Sequence, residues 1–136
     1  MDNKILNKLK ILKDIYDEFS QWMNFYQTWE GIQKESAFLS AQKKAEELVE
    51  YSIKINRELL KKENYFANSY KESFLLLEKL GFEKNFCEKL SSFALFRNKL
   101  AHEYLVITKG EILEEVNLLK KEFPFYIKEL SKIILD

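Results

Sequence analysis

Cysteine, histidine, arginine, proline and glycine are all scarce in this chain of 136 residues, and each scarcity closes a route. Cys87 is the only cysteine, so no disulfide can form within the chain, which fits a reducing cytoplasm. His102 is the only histidine, and without a second histidine or a cysteine pair a zinc site is improbable. Three glycines and one proline provide no glycine-rich phosphate loop, and so few breakers favour long helices over many short strands. Net charge is absent too: 22 basic residues balance 22 acidic ones, which argues against a protein that coats polyanions but leaves room for a local basic site. No stretch approaches 18 consecutive apolar residues, so no membrane span is expected. Residues 1–8 hold no apolar run of the signal-peptide kind.

What is present suits one globular domain over residues 1–136, with 46% hydrophobic and 32% charged residues. Ile5, Leu9, Leu12, Ile15, Phe19, Trp22, Met23, Tyr26 and Trp29 recur at helical steps and describe a long amphipathic helix that Gly31 should end. A second helix is expected from near Ser36, with Ala37, Ala41, Ala45, Leu48, Ser52, Ile55 and Leu59 on one face. Residues 64–68 look like a connector, after which Ser69 can cap a third, shorter helix carrying Phe74, Leu77 and Leu80 and closed by Gly81. A fourth carries Phe86, Leu90, Phe93, Ala94 and Arg97. Beyond a turn at 108–110 a fifth carries Ile112, Val116, Leu119 and Phe123, with Pro124 expected to kink or restart it before Ile127, Leu130 and Ile134. The fold class is therefore all-α, an antiparallel bundle of four or five helices. Eleven Phe, seven Tyr and two Trp exceed what one small core usually needs, and a surplus on one face would suit a homodimer interface.

Chemistry concentrates in Arg97-Asn98-Lys99-Leu100-Ala101-His102-Glu103-Tyr104. Only Arg57 and Arg97 among the basic residues are arginine, and a position that keeps arginine can be using its planar fork. On a helical wheel Phe93, Ala94, Arg97, Ala101 and Tyr104 fall on the same side as Leu90, so Arg97 points inward and needs a partner, a cleft or an interface. A plain structural role, pairing a carboxylate and stapling two helices, is as good a reading of that wheel. Asp14, Asp17 and Glu18 are candidate partners. On an unbroken helix His102 lies about 140° from Arg97. Either the helix breaks between them or the two meet across a two-fold axis.

His102 is the natural proton-transfer group near neutral pH, although a lone histidine is more often structural or exposed. Asn98 and Lys99 can orient the arginine or a phosphate, or simply face solvent. Tyr104 is either a core aromatic or a hydroxyl at the rim of a site. This set suits metal-free RNA cleavage, in which the RNA's own 2′-hydroxyl attacks, a histidine moves the proton and an arginine stabilises the phosphorane charge.

Arg97, His102 and Tyr104 reproduce the Arg-x4-His-x-Tyr motif, and the chain resembles the HepT-like branch of the HEPN superfamily. The likeness extends to Ala45-Glu46-Glu47-Leu48 and to Tyr70-x3-Phe74-x2-Leu77-x2-Leu80-Gly81. A proline common before that tyrosine is missing, and Lys43 and Lys44 stand where the family favours arginine. The resemblance implies a dimerising helical bundle that acts as a metal-independent endoribonuclease toxin, with Arg97 and His102 as the catalytic pair and no cofactor. It also implies a nucleotidyltransferase antitoxin of the minimal (MNT) type that silences the toxin by transferring AMP to Tyr104. Two other readings stand beside it. One is a non-catalytic nucleotide-binding partner of a minimal nucleotidyltransferase, faintly echoed in Gly31-Ile32-Gln33-Lys34. The other is a dimeric scaffold in which Arg97 is only a staple.

Overall fold

The computed structural model describes residues 3–102 and 107–135. Five α-helices follow one another: α1 (Asn3–Thr28), α2 (Gly31–Lys62), α3 (Tyr70–Leu75), α4 (Lys84–Ala101) and α5 (Lys109–Leu135), with a 3₁₀ turn (Leu76–Leu80) after α3. No strand occurs among the described residues.

α1 and α2 form a hairpin across only two residues. The Trp29 amide still donates to the Phe25 carbonyl at 2.7 Å, and Gly31 then takes φ +62°. That left-handed turn suits glycine, which carries no Cβ penalty there. Gly31 does end α1 as expected, but α2 starts on it rather than near Ser36. Gln33, Lys34 and Glu35 are good helix formers and nothing after the turn interrupts them. Cross-links fix the antiparallel direction: Lys8 reaches Glu58 at 2.6 Å and Lys44 reaches Glu18 at 2.6 Å, so early residues of α1 meet late ones of α2.

The α2–α3 connector turns at Asn64, with φ +64°, a conformation that asparagine tolerates better than most. Ser69 caps α3 as expected. Its hydroxyl accepts from the Glu72 amide at 3.1 Å, while the Glu72 carboxylate accepts from the Asn68 amide at 3.0 Å. Two otherwise orphaned donors are thus satisfied in a capping-box arrangement. Gly81, at φ +107°, closes the 3₁₀ turn. This compact corner sets Tyr70 at the first position of α3, facing α2 and α4.

α5 is capped by Thr108, whose hydroxyl accepts from the Glu111 amide at 3.1 Å. Ties from Lys109 to Glu35 (2.6 Å) and from Tyr126 to Asn56 (2.5 Å) make α5 run in the direction of α2. Phe86 against Phe125 (4.8 Å) and Lys89 against Glu122 (3.4 Å) set α4 on α5 in the opposite sense. Pro124 neither ends nor restarts α5, which runs through it. The proline lacks the N–H that would bond the Lys120 carbonyl. Tyr16 of α1 supplies a substitute, its hydroxyl donating to that carbonyl at 2.7 Å.

The core-facing positions expected from periodicity are buried along α1, α2, α4 and α5, from Ile5, Leu9 and Leu12 to Leu130 and Ile134. One polar group lies among them: Tyr126, fully buried, donates to Asn56 Oδ1 with Ser52 beside it. Burial pushes the Tyr126 phenol well above the ordinary tyrosine range. The aromatic surplus gathers partly on the last turns of α1, where Trp22, Phe25 and Trp29 pack on one another while half-buried, with Phe25 and Trp29 stacked at 4.4 Å. No described helix is long and apolar enough to cross a membrane.

Candidate functional site

α2 carries two kinds of polar residue. Ser52 and Asn56 turn into the core, whereas Glu50, Lys54 and Arg57 turn outward to a cleft of about 280 Å³ whose other walls are Ile53, Tyr70 and Arg97. Positions 50, 54 and 57 are separated by four and three residues, so one face of α2 presents all three. α4 supplies Arg97 from the opposite wall, and α3 supplies Tyr70 between them.

Arg97 pairs with Glu50. Its Nε donates to Glu50 Oε1 at 3.0 Å and its Nη2 donates to the same oxygen at 2.6 Å. Nη1 makes only a long contact to Asn98 Oδ1, at 3.5 Å. The expected carboxylates of α1 are therefore not the partners: α2 lies between that helix and the cleft wall that α4 faces, and Glu50 is the acid in reach. The pair is not sealed, since the Arg97 side chain is 21% exposed and that of Glu50 42%. An ion pair so wetted is worth about 0–1 kcal/mol, so the guanidinium is held in place yet can be drawn off by a stronger anion. Two of its five N–H donors are committed to Glu50 and one to the long Asn98 contact, leaving two on a side chain that lines the cleft.

Tyr70 touches both of the chain's two arginines. The Arg57 guanidinium carbon lies 5.0 Å from the ring centroid and that of Arg97 5.2 Å. Such contacts are worth about 0.5–1 kcal/mol at exposed sites. Arg57 is exposed and makes no ion pair among the described residues. Among the described residues Glu50 is the sole acid on these walls, where three cations outnumber one anion. The cleft is locally basic in a chain of zero net charge.

α4 ends at Ala101, and His102 already has extended backbone, φ −103° and ψ 108°. Of the two routes open to a working Arg–His pair, the helix does break, and it breaks directly before His102. The histidine is exposed. Ala101, expected on the inward face, is exposed as well, while its neighbour Leu100 packs against the core. Asn98 is half-buried beside Arg97, and Lys99 is exposed and lines a different cleft with Ser92, Leu95, Phe96 and Glu115. Tyr104, the candidate modification site, lies outside the described residues, as does Glu103.

Glu50, Lys54, Arg57 and Tyr70 were not singled out as site residues by sequence. The available signal was the rarity of arginine, since both arginines converge on one cleft. Among the described residues no three His, Cys, Asp or Glu side chains gather so as to hold a metal ion.

Compared with known protein families, the chain matches the model described as Ribonuclease HepT-like over residues 5–133. No curated protein matches it.

Proposed function

The chain belongs to the HepT-like ribonuclease family, and from that premise we propose that it is a metal-independent endoribonuclease, the toxin of a toxin–antitoxin pair. The observation that carries this reading is Arg97: an arginine parked on a wetted carboxylate, with unused N–H donors at the mouth of a basic cleft. A guanidinium so held can exchange Glu50 for an RNA phosphate.

In the proposed reaction the RNA 2′-oxygen attacks the adjacent phosphorus. The 2′-hydroxyl proton passes to a base, a new O–P bond forms, and the bond from phosphorus to the 5′-oxygen breaks. An acid protonates that leaving oxygen, giving a 2′,3′-cyclic phosphate and a 5′-hydroxyl. Arg97 stabilises the extra negative charge of the phosphorane. His102 moves the proton, and in a homodimer two copies supply base and acid at one cleft. Asn98 orients Arg97, and Lys99 adds positive charge to the same helix end. The half-exposed aromatics of α1 support dimerisation as a surface in need of cover.

Silencing follows from AMP transfer to Tyr104 by a cognate MNT-type nucleotidyltransferase. The added phosphate brings negative charge within two residues of His102 and repels RNA.

The test is cleavage of RNA in EDTA by the purified protein beside Arg97→Ala and His102→Ala variants. Wild-type cleavage that both substitutions abolish, with the fold intact by circular dichroism, supports the ribonuclease. No cleavage, with nucleotide bound only in the presence of a nucleotidyltransferase, would move the assignment to a substrate-binding partner. For Tyr104 the expected result is a mass gain in multiples of AMP when the partner and ATP are supplied. Equal modification of Tyr104→Phe would defeat that site.

A further inference from the structure

Arg57 is the cation that the cleft does not otherwise use. It is exposed, on a stripe of α2 that faces Arg97, and it makes no ion pair among the described residues. Its contact is with the Tyr70 ring, which attracts the guanidinium without neutralising it. Arg97, by contrast, has Glu50. Lys54, one turn before Arg57, adds a second positive charge on the same wall. The guanidinium carbons lie 5.0 Å and 5.2 Å from one ring centroid, so they stand no more than about 10 Å apart, within the span of neighbouring phosphates of a single strand.

We propose that Arg57, with Lys54, forms a second phosphate-binding position that grips the RNA backbone phosphate next to the one attacked at Arg97. This rests on the ribonuclease reading above and extends it to how the strand is held. The physical reason is a division of labour. A phosphate on Arg97 must displace Glu50, so Arg97 alone gives weak ground-state binding. Arg57 has no such competitor, and its fork accepts a phosphate in the bidentate manner that lysine cannot match. Tyr70, 36% exposed, touches both groups and so limits how far apart the two phosphates can be held. The ligand is single-stranded RNA, because two phosphates of one strand must follow one groove of side chains.

The experiment measures binding of a short single-stranded oligonucleotide with 2′-O-methyl groups, which the protein cannot cleave, over a series of salt concentrations. Each phosphate contact contributes about 0.7 to the slope of log affinity against log salt for single strands. Arg57→Gln is expected to lower that slope by about 0.7 and to weaken binding several-fold at low salt. Arg57→Lys is expected to keep the slope while losing part of the affinity. Lys10→Gln, which removes an exposed charge of α1, is expected to leave both unchanged. An Arg57→Gln protein that binds with wild-type affinity and slope overturns the proposal, as does an equal loss in Lys10→Gln, which would mean diffuse attraction. If the wild-type protein binds no oligonucleotide and cleaves no RNA, the ribonuclease reading itself has failed. Cleavage by wild type together with an unaltered Arg57→Gln slope removes only the second phosphate position.

Discussion

Asn56 and Arg57 are neighbours in the chain and opposites in role. Asn56 faces inward, where its Oδ1 accepts from the buried Tyr126 hydroxyl. Arg57 faces outward to the cleft, where its contact is an aromatic ring. The same split runs along α2: Ser52 and Asn56 join that helix to α5, while Glu50, Lys54 and Arg57 face Arg97 and Tyr70. Water separates the two cases. A dry polar contact is expensive to leave unmade, so it holds helices together. A wetted one is cheap to open, so it can be traded for a ligand. Polar residues on one helix can therefore serve stability or function according to the face they occupy.

The largest expected effect lies on the wetted side. Arg97→Ala should lower RNA cleavage by about 10²–10³, the usual consequence of losing one preorganised donor to a developing anion. Its unfolding free energy should change by no more than about 1 kcal/mol, because water reaches the Glu50 pair. A loss of several kcal/mol in urea denaturation would instead make the pair a structural staple. On the dry side Tyr126→Phe should cost about 1–3 kcal/mol, since Asn56 Oδ1 loses its donor where water cannot replace it. RNA binding by the folded protein should be untouched. If Tyr126→Phe unfolds no more easily than wild type, the contrast between the two faces of α2 collapses.

The dry side was largely legible in the sequence, and the wetted side was not. Hydrophobic spacing reports burial directly, which is why the core faces of α1, α2, α4 and α5 could be read from Ile5 to Ile134. Ser69 and Gly81 announced the ends of the short third helix through their own side-chain and backbone chemistry. Other features depend on where elements meet. The carboxylate facing Arg97 is chosen by the packing of α4 against α2, and no spacing within α1 or α2 distinguishes Glu50 from Asp14, Asp17 or Glu18. Tyr70 belongs to the cleft because the α3 corner folds back, a tertiary event. The end of α4 before His102 carries no glycine or proline, so the wheel continued where the helix does not. Asn56 could have been read as a solvated residue; Tyr126 from α5 satisfies its buried Oδ1, while its Nδ2 is buried without a partner among the described residues.

Smaller effects sharpen the boundary between dry and wet. Tyr16 donates to the Lys120 carbonyl that Pro124 leaves open, and half-burial raises its phenol above the ordinary range. Tyr16→Phe should cost about 1 kcal/mol. Pro124→Ala restores an N–H for that carbonyl, so in its background Tyr16→Phe should cost less, and a double-mutant cycle measures the difference. Equal cost in both backgrounds would mean that the hydroxyl does not compensate for the proline.

The smallest expected effect concerns Glu115 on α5, which sits on the boundary itself. Its Oε2 is buried without a hydrogen-bond partner among the described residues, in the cleft that Lys99 lines. Desolvation raises its pKa, Lys99 opposes the shift and Glu114 adds to it. A carboxyl whose folded pKa is raised binds its proton more tightly in the native state than in the unfolded one. Stability then falls as pH climbs through the interval from the ordinary glutamate value to the raised one, and it stays reduced above. Glu115→Gln carries no titrating charge. It should therefore gain on wild type across that interval, with the gap level at higher pH. Urea denaturation at a series of pH values reads the gap. Lys99→Gln in the wild-type background should steepen the fall, because the attraction that holds the charged form is gone. A wild-type protein that gains on Glu115→Gln through the same interval would show that the carboxylate is satisfied when charged, and would move Glu115 from the dry class to the wet one.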